Sequence, residues 1–176
     1  MKQILINASQ REEVRLAIVE DNKLAELDID LPSKNIKSNI YKGTISRVEP
    51  SLEAAFVNFG RTRHGFLPFK EISEDIFTPG KQRSARDCIE PGKEIVIQVD
   101  KEERGTKGAA LTTFLSLAGK YLVLLPKNPN TGGVSRRLEG NDRMAAKKLL
   151  NEINIPDGMS IILRTSGLDT TKETLE

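Results

Sequence analysis

IYKGTISRVEPSLEAAFVNFG, residues 40–60, decides the architecture. Apolar and polar positions alternate through IYKGTISRVE with the period of a half-exposed strand, PSLE supplies a turn, and AAFVNFG is a second short strand closed by Gly60. After the polar RTR comes HGFLPF (64–69), a third strand, and then KEISEDIF (70–77), which reads as a short helix or loop. TPGKQRSARDCIEPGK (78–93) breaks every periodicity and reads as an insertion. Strand texture returns in EIVIQVDKE (94–102) and AALTTFLSL (109–117), separated by the Gly-bounded loop ERGTKG (103–108). Three strands before an interruption and two after it predict a five-stranded barrel of the OB type, within a chain of mainly β (α+β) class.

Outward from this core, the first 30 residues hold three apolar stretches at 3–7, 14–19 and 24–29, divided by polar turns, which predict a small β-meander. KLAELDID alternates as a strand with one solvated face does, and LPSKNIKSN (31–39) is a polar connector. Downstream, YLVLLP (121–126) is a strand and NPNTGGVSRRLEG (128–140) a loop. NDRMAAKKLLNEI (141–153) has helical spacing with Asn141 or Asp142 as N-cap, and PDG marks its end. SIILRTSG (160–167) is a strand running into a turn. DTTKETLE opens a helix too short to stand alone, so the carboxyl end reads as a cut within a larger structure.

Composition removes whole classes. With 176 residues the chain is one generous domain or two small ones and needs neither disulfide nor metal to fold. At 38% hydrophobic and 30% charged, with 13 Gly and 8 Pro, it is not disordered, collagen-like or a disulfide scaffold. Its single Cys88 excludes an intrachain disulfide and a cysteine zinc cluster, and fits a reducing cytoplasmic compartment. No apolar run approaches the ~20 residues of a membrane span, and MKQILINASQREE turns polar too soon for a signal peptide. A net charge of +2 identifies no partner, but residues 120–148 carry seven basic side chains against two acidic ones, which predicts one local positive surface.

Enzyme signatures are missing: there is no Walker lysine loop, G-x-S-x-G elbow, paired His or C-x-x-C. His64 is the only histidine, and EISED and DKEER lack the spacing that gathers a hydrated metal. The aromatics are concentrated instead. Tyr41, Phe56, Phe59, Phe66, Phe69 and Phe77 all fall in the first half of the barrel, where Phe59, Phe69 and Phe77 suit the core. Phe56 and Phe66 lie on adjacent strands close to Arg61, Arg63 and His64, the ring-plus-cation arrangement that binds single-stranded nucleic acid, with a core role as the alternative. Lys107 sits on a loop whose flanking glycines admit a ligand to the backbone, or is an ordinary surface lysine. Arg164 and Thr165, followed by Gly167, form either a phosphate cradle or a plain strand end.

MKQILINASQREEVRLAIVED, NIYKGTISRVEPSLEAAFVNFG, RHGFLPFKEI, IQVDKEERGTKGAALTTFLSLAGKYLVLLP, GVSRRLEG and ILRTSG together resemble the amino-terminal part of the ribonuclease E/ribonuclease G family. The resemblance runs from Met1 to about Gly167 and weakens at KQRSARDCIEPG and in NDRMAAKKLLNEI. It implies an endoribonuclease that cleaves single-stranded RNA and prefers a 5′-monophosphate, acting in RNA processing and mRNA decay. Residues 1–36 would be the first piece of an RNase H-like subdomain, 37–119 an S1-type OB domain and 120–176 part of a 5′-sensor region. Matched by motif, Phe56, Phe66 and Lys107 would hold RNA, while Gly119, Val123, Arg164 and Thr165 would bind the terminal phosphate.

By the same resemblance, catalysis needs Mg2+ on aspartates of a later subdomain and a Zn2+ link joins protomers. Neither motif is in this chain, which therefore reads as holding no catalytic residue, metal ligand or cofactor of its own. The implied parent is a bacterial, cytoplasmic homo-oligomer, a tetramer, within an RNA-degrading assembly. Two other readings stand beside this one: a stand-alone S1-type module with no nuclease role, and a residual nuclease using Glu102 and Glu103.

Overall fold

A computed structural model describes residues 1–10, 12–31, 35–73, 76, 89–126, 128 and 131–175. The expected core position Phe77 and residues 78–88 of the expected insertion, Cys88 included, lie outside the described residues. The chain divides into two compact units, 1–39 and 40–176.

The first unit is the expected meander. β1 (Lys2–Asn7), β2 (Val14–Glu20) and β3 (Lys23–Asp30) pair antiparallel in that order. Asp21 and Asn22, both at left-handed φ (48° and 62°), make the tight turn between β2 and β3, a conformation that short polar side chains tolerate. Every side chain of β1 and β3 is exposed, Ile4, Ile6, Leu24 and Leu27 among them.

The second unit opens with the barrel. β4 (Ile40–Glu49), β5 (Ala54–Asn58), β6 (Gly65–Pro68), β7 (Glu94–Lys101) and β8 (Ala110–Thr112) close in the order β4-β5-β6-β8-β7, with β7 returning to β4. Only the β6–β8 pair is parallel among these ladders. Ile45, Val57, Leu67, Ile97, Val99 and Leu111 fill the interior, each at most 1% exposed. Phe59 joins them and meets Tyr41 edge-on at 5.3 Å, while Phe69 is half-buried in the 3-10 turn Phe69–Glu71.

Within AALTTFLSL only Ala110–Thr112 joins the barrel, as the three-residue β8, and its threonines explain the early end. Thr112 Oγ1 accepts from the Phe114 N–H (3.1 Å), and Thr113 Oγ1 donates to the Glu71 carbonyl (2.9 Å) while accepting from the Ser73 N–H (2.7 Å). Hydroxyls that capture backbone groups compete with the ladder and stop it.

Beyond the barrel a second sheet runs β11-β12-β10-β9, from β9 (Leu117–Ala118), β10 (Leu122–Pro126), β11 (Gly133–Val134) and β12 (Met159–Leu163). The stretch expected as pure loop thus contributes β11, parallel to β12. A Cβ on Gly132 would lie 2.8 Å from the Ile161 carbonyl oxygen, so glycine is what lets this backbone come so near.

Helix α1 (Gly140–Glu152) packs Ala146, Leu149 and Leu150 with Val134, Leu138 and Leu163. Its N-cap is Glu139, with no side-chain hydrogen bond, rather than Asn141 or Asp142. The helix begins at Gly140 (φ 52°), which carries both residues into the first turn, where the Asp142 charge meets the positive end of the dipole. The short α2 (Lys172–Leu175) follows. No described helix is long and apolar enough to cross a membrane.

Candidate nucleic-acid interface

The first group of expected site residues gathers on one side of the barrel. Phe56 on β5 stands directly opposite Phe66 on β6, and their rings meet edge-to-face at 5.9 Å and 70°. Both are half-buried, so each is held by the sheet yet keeps ring surface toward solvent. The Arg47 guanidinium of β4 lies 4.7 Å over the Phe56 ring, a cation–π contact. Arg47, Phe56 and Phe66 therefore form a row across three adjacent strands.

Arg47 reaches that row because β4 is irregular. Between Ile45 and Arg47 the ladder with β5 slips by one residue, so Ser46 and Arg47 are both exposed next to the buried Ile45. Strict alternation from Ile45 points residue 47 inward; the bulge turns it out. Ser46, the extra residue, donates its hydroxyl to the Phe56 carbonyl (3.0 Å) and lies 2.9 Å from His64 Nδ1.

Lys107 is placed by a tight turn. Arg104 and Lys107 exchange backbone hydrogen bonds (3.1 and 3.0 Å) around Gly105, whose φ is 58°, and the Arg63 guanidinium donates to the Gly105 carbonyl. A Cβ on Gly108 would sit 2.2 Å from the His64 carbonyl oxygen, and the Phe66 N–H donates to the Ala109 carbonyl (2.8 Å). The chain just after Lys107 is thus seated against His64 and the start of β6, and Lys107 itself is exposed on the turn that leads into it. Two half-exposed rings among cations form a platform that can stack bases and neutralise phosphates without reading sequence.

The second group lies at the turn between β9 and β10. The Gly119 N–H donates to the Leu122 carbonyl (2.8 Å), and the Arg164 N–H to the Tyr121 carbonyl (2.8 Å). The Arg164 guanidinium bonds the Gly119 carbonyl, so these two residues are brought together. Val123 is half-buried on β10 between Ala118 and Ile162, and Thr165 is exposed at the start of the 3-10 turn Thr165–Gly167. Ser166 Oγ donates to the Lys120 carbonyl (2.6 Å), and Lys120 Nζ stands 5.2 Å over the Tyr121 ring. Gly167 is buried where a Cβ would meet Leu163 Cδ1 at 2.7 Å, so the turn folds back tightly. The guanidinium and Lys120 make this edge cationic, with one arm of Arg164 already fixed.

Sequence reasoning missed Arg47 and Ser46, and it read His64 only as a cation near the rings and Gly108 only as a glycine flanking Lys107. Of the basic residues of 120–148, Arg136 and Arg137 are exposed on the turn before α1, Lys147 and Lys148 on α1 itself, and Arg143 reaches back to the Ser135 and Leu138 carbonyls (3.5 Å each). Among the described residues no three His, Cys, Asp or Glu side chains gather as a metal site.

Comparison with known families matches residues 34–114 to the S1 RNA binding domain and residues 116–176 to the Ribonuclease E/G family. The chain is 52% identical to Ribonuclease E of Escherichia coli (strain K12) across its whole length, covering 17% of that protein. It is equally similar to Ribonuclease E of Haemophilus influenzae, covering 19% of it. Against Ribonuclease G of Haemophilus influenzae it is 35% identical over 98% of the chain and 36% of that relative. The chain therefore spans less than a fifth of these ribonuclease E relatives.

Proposed function

The chain belongs to the ribonuclease E/G family and carries an S1 RNA binding domain, and from that premise we propose that it is the RNA-binding portion of an endoribonuclease of the ribonuclease E type. Single-stranded RNA lies on the barrel face, with bases on Phe56 and Phe66 and a phosphate on Lys107. The observation that carries this reading is the Phe56–Phe66 pair, set edge-to-face at 5.9 Å, half-exposed and flanked by Arg47.

The edge formed by Gly119, Val123, Arg164 and Thr165 takes a 5′-monophosphate. Guanidinium and hydroxyl donors suit a phosphate dianion, and the bond from Arg164 to the Gly119 carbonyl pre-orients the fork. In this reading residues 1–36 complete an RNase H-like subdomain with chain from elsewhere in the parent, 37–119 bind RNA and 120–176 sense the 5′ end. The whole protein hydrolyses phosphodiester bonds inside RNA, in the cytoplasm, as a homo-oligomer. This portion alone binds without cutting.

Titrating the chain with a short RNA bearing either a 5′-monophosphate or a 5′-hydroxyl tests both sites. The proposal expects binding of both strands and tighter binding of the phosphorylated one. Equal affinity would leave an S1-type binding module without a sensor, and no binding would end the proposal. Incubation with labelled RNA and Mg2+ should show no cleavage above a metal-free control.

A further inference from the structure

We propose that His64 accepts a hydrogen bond from a ribose 2′-hydroxyl and thereby makes the barrel face prefer RNA to DNA. The assignment rests on the RNA-binding role given above to Phe56 and Phe66.

Proton counting at Ser46 leads to it. The Ser46 hydroxyl has one proton, and its Oγ lies 3.0 Å from the Phe56 carbonyl, which can only accept. With that proton committed, Ser46 offers His64 Nδ1, 2.9 Å away, a lone pair, which only a protonated Nδ1 can use. A neutral imidazole that carries its proton on Nδ1 has a bare lone pair on Nε2. The serine thus selects the tautomer, as the outer partner of a metal-bound histidine does.

Nε2 is then an exposed acceptor among donors. His64 is exposed, and Ser46 is its only hydrogen-bond partner among the described residues. Arg47, Arg63 and Lys107 around it can only donate, which suits phosphate and ignores the sugar. A lone pair repels phosphate oxygens but can use an O–H, and the 2′-hydroxyl is the group that distinguishes RNA from DNA. His64 immediately precedes β6, and its Nδ1 lies 2.9 Å from the same Ser46 hydroxyl that donates to the Phe56 carbonyl, so the imidazole sits next to the strand pair that carries the two rings. The ribose of a nucleotide stacked on Phe66 therefore falls within reach of the imidazole.

The test compares three single strands of one sequence, 3′-labelled: RNA, DNA and 2′-fluoro RNA, which keeps an RNA-like sugar pucker without the O–H. The native chain should bind RNA about three- to tenfold more tightly than either of the others, the worth of one hydrogen bond. His64→Ala should lower RNA affinity to the 2′-fluoro level and leave DNA affinity unchanged. Ser46→Ala, which keeps the imidazole but releases its tautomer, should narrow the RNA preference with little effect on DNA.

Equal binding of RNA and 2′-fluoro RNA by the native chain would overturn the assignment, as would a His64→Ala variant that weakens RNA and DNA alike. Phe66→Ala separates the two levels of inference because it should weaken all three strands. If it weakens none, the barrel-face reading itself fails.

Discussion

Phe66 and Phe56 show what a single side chain contributes here. Each ring is half-buried, so truncation removes both packing and a stacking surface, and the two effects need separate readouts. Phe66→Ala should weaken binding of single-stranded RNA by about 1–3 kcal/mol, the value of one stacked base, measured by anisotropy with circular dichroism as the folding control. Lys107→Ala acts through charge alone: the slope of log K against log salt should fall by about 0.7 if the lysine meets one phosphate. Arg164→Ala should remove the preference for a 5′-monophosphate, a loss of about 1.5–3 kcal/mol for a charged hydrogen-bonding partner, while 5′-hydroxyl RNA binds as before. The Phe pair and Lys107 were open to the eye as rings and a cation near glycines. Arg47 was not, because its outward direction depends on a slip in strand pairing that no pattern of polar and apolar residues encodes.

At the scale of elements, alternation revealed β4, and short apolar stretches bounded by turn residues revealed the other four barrel strands. Such patterning overestimated β8, where Thr112 and Thr113 divert hydroxyls to the backbone, and it passed over β11, two residues long with a glycine at its start. Turns depend on close approaches that only contacts disclose. Gly108 read as one flexible position among several, yet it is the point where the Lys107 turn touches the His64 carbonyl. Gly108→Ala places a methyl 2.2 Å from that oxygen, so it should cost about 1–3 kcal/mol in denaturant unfolding by overpacking. Because the displaced segment carries Lys107, RNA affinity should fall in the same variant even where it remains folded.

For the molecule as a whole, the net charge of +2 concealed the organisation. Cations sit beside aromatic rings on the barrel and beside the Gly119 turn on the second sheet, while the charges of α1 face solvent elsewhere. Binding should accordingly be salt-dependent yet limited to single strands, since a duplex hides the base faces that Phe56 and Phe66 would stack. The central claim, that the barrel face holds RNA through this ring pair, is tested most directly by titrating one 3′-labelled single-stranded RNA with the native chain and with the Phe56→Ala/Phe66→Ala double variant. A tenfold or greater loss of affinity with unchanged circular dichroism is predicted; equal affinities would contradict it.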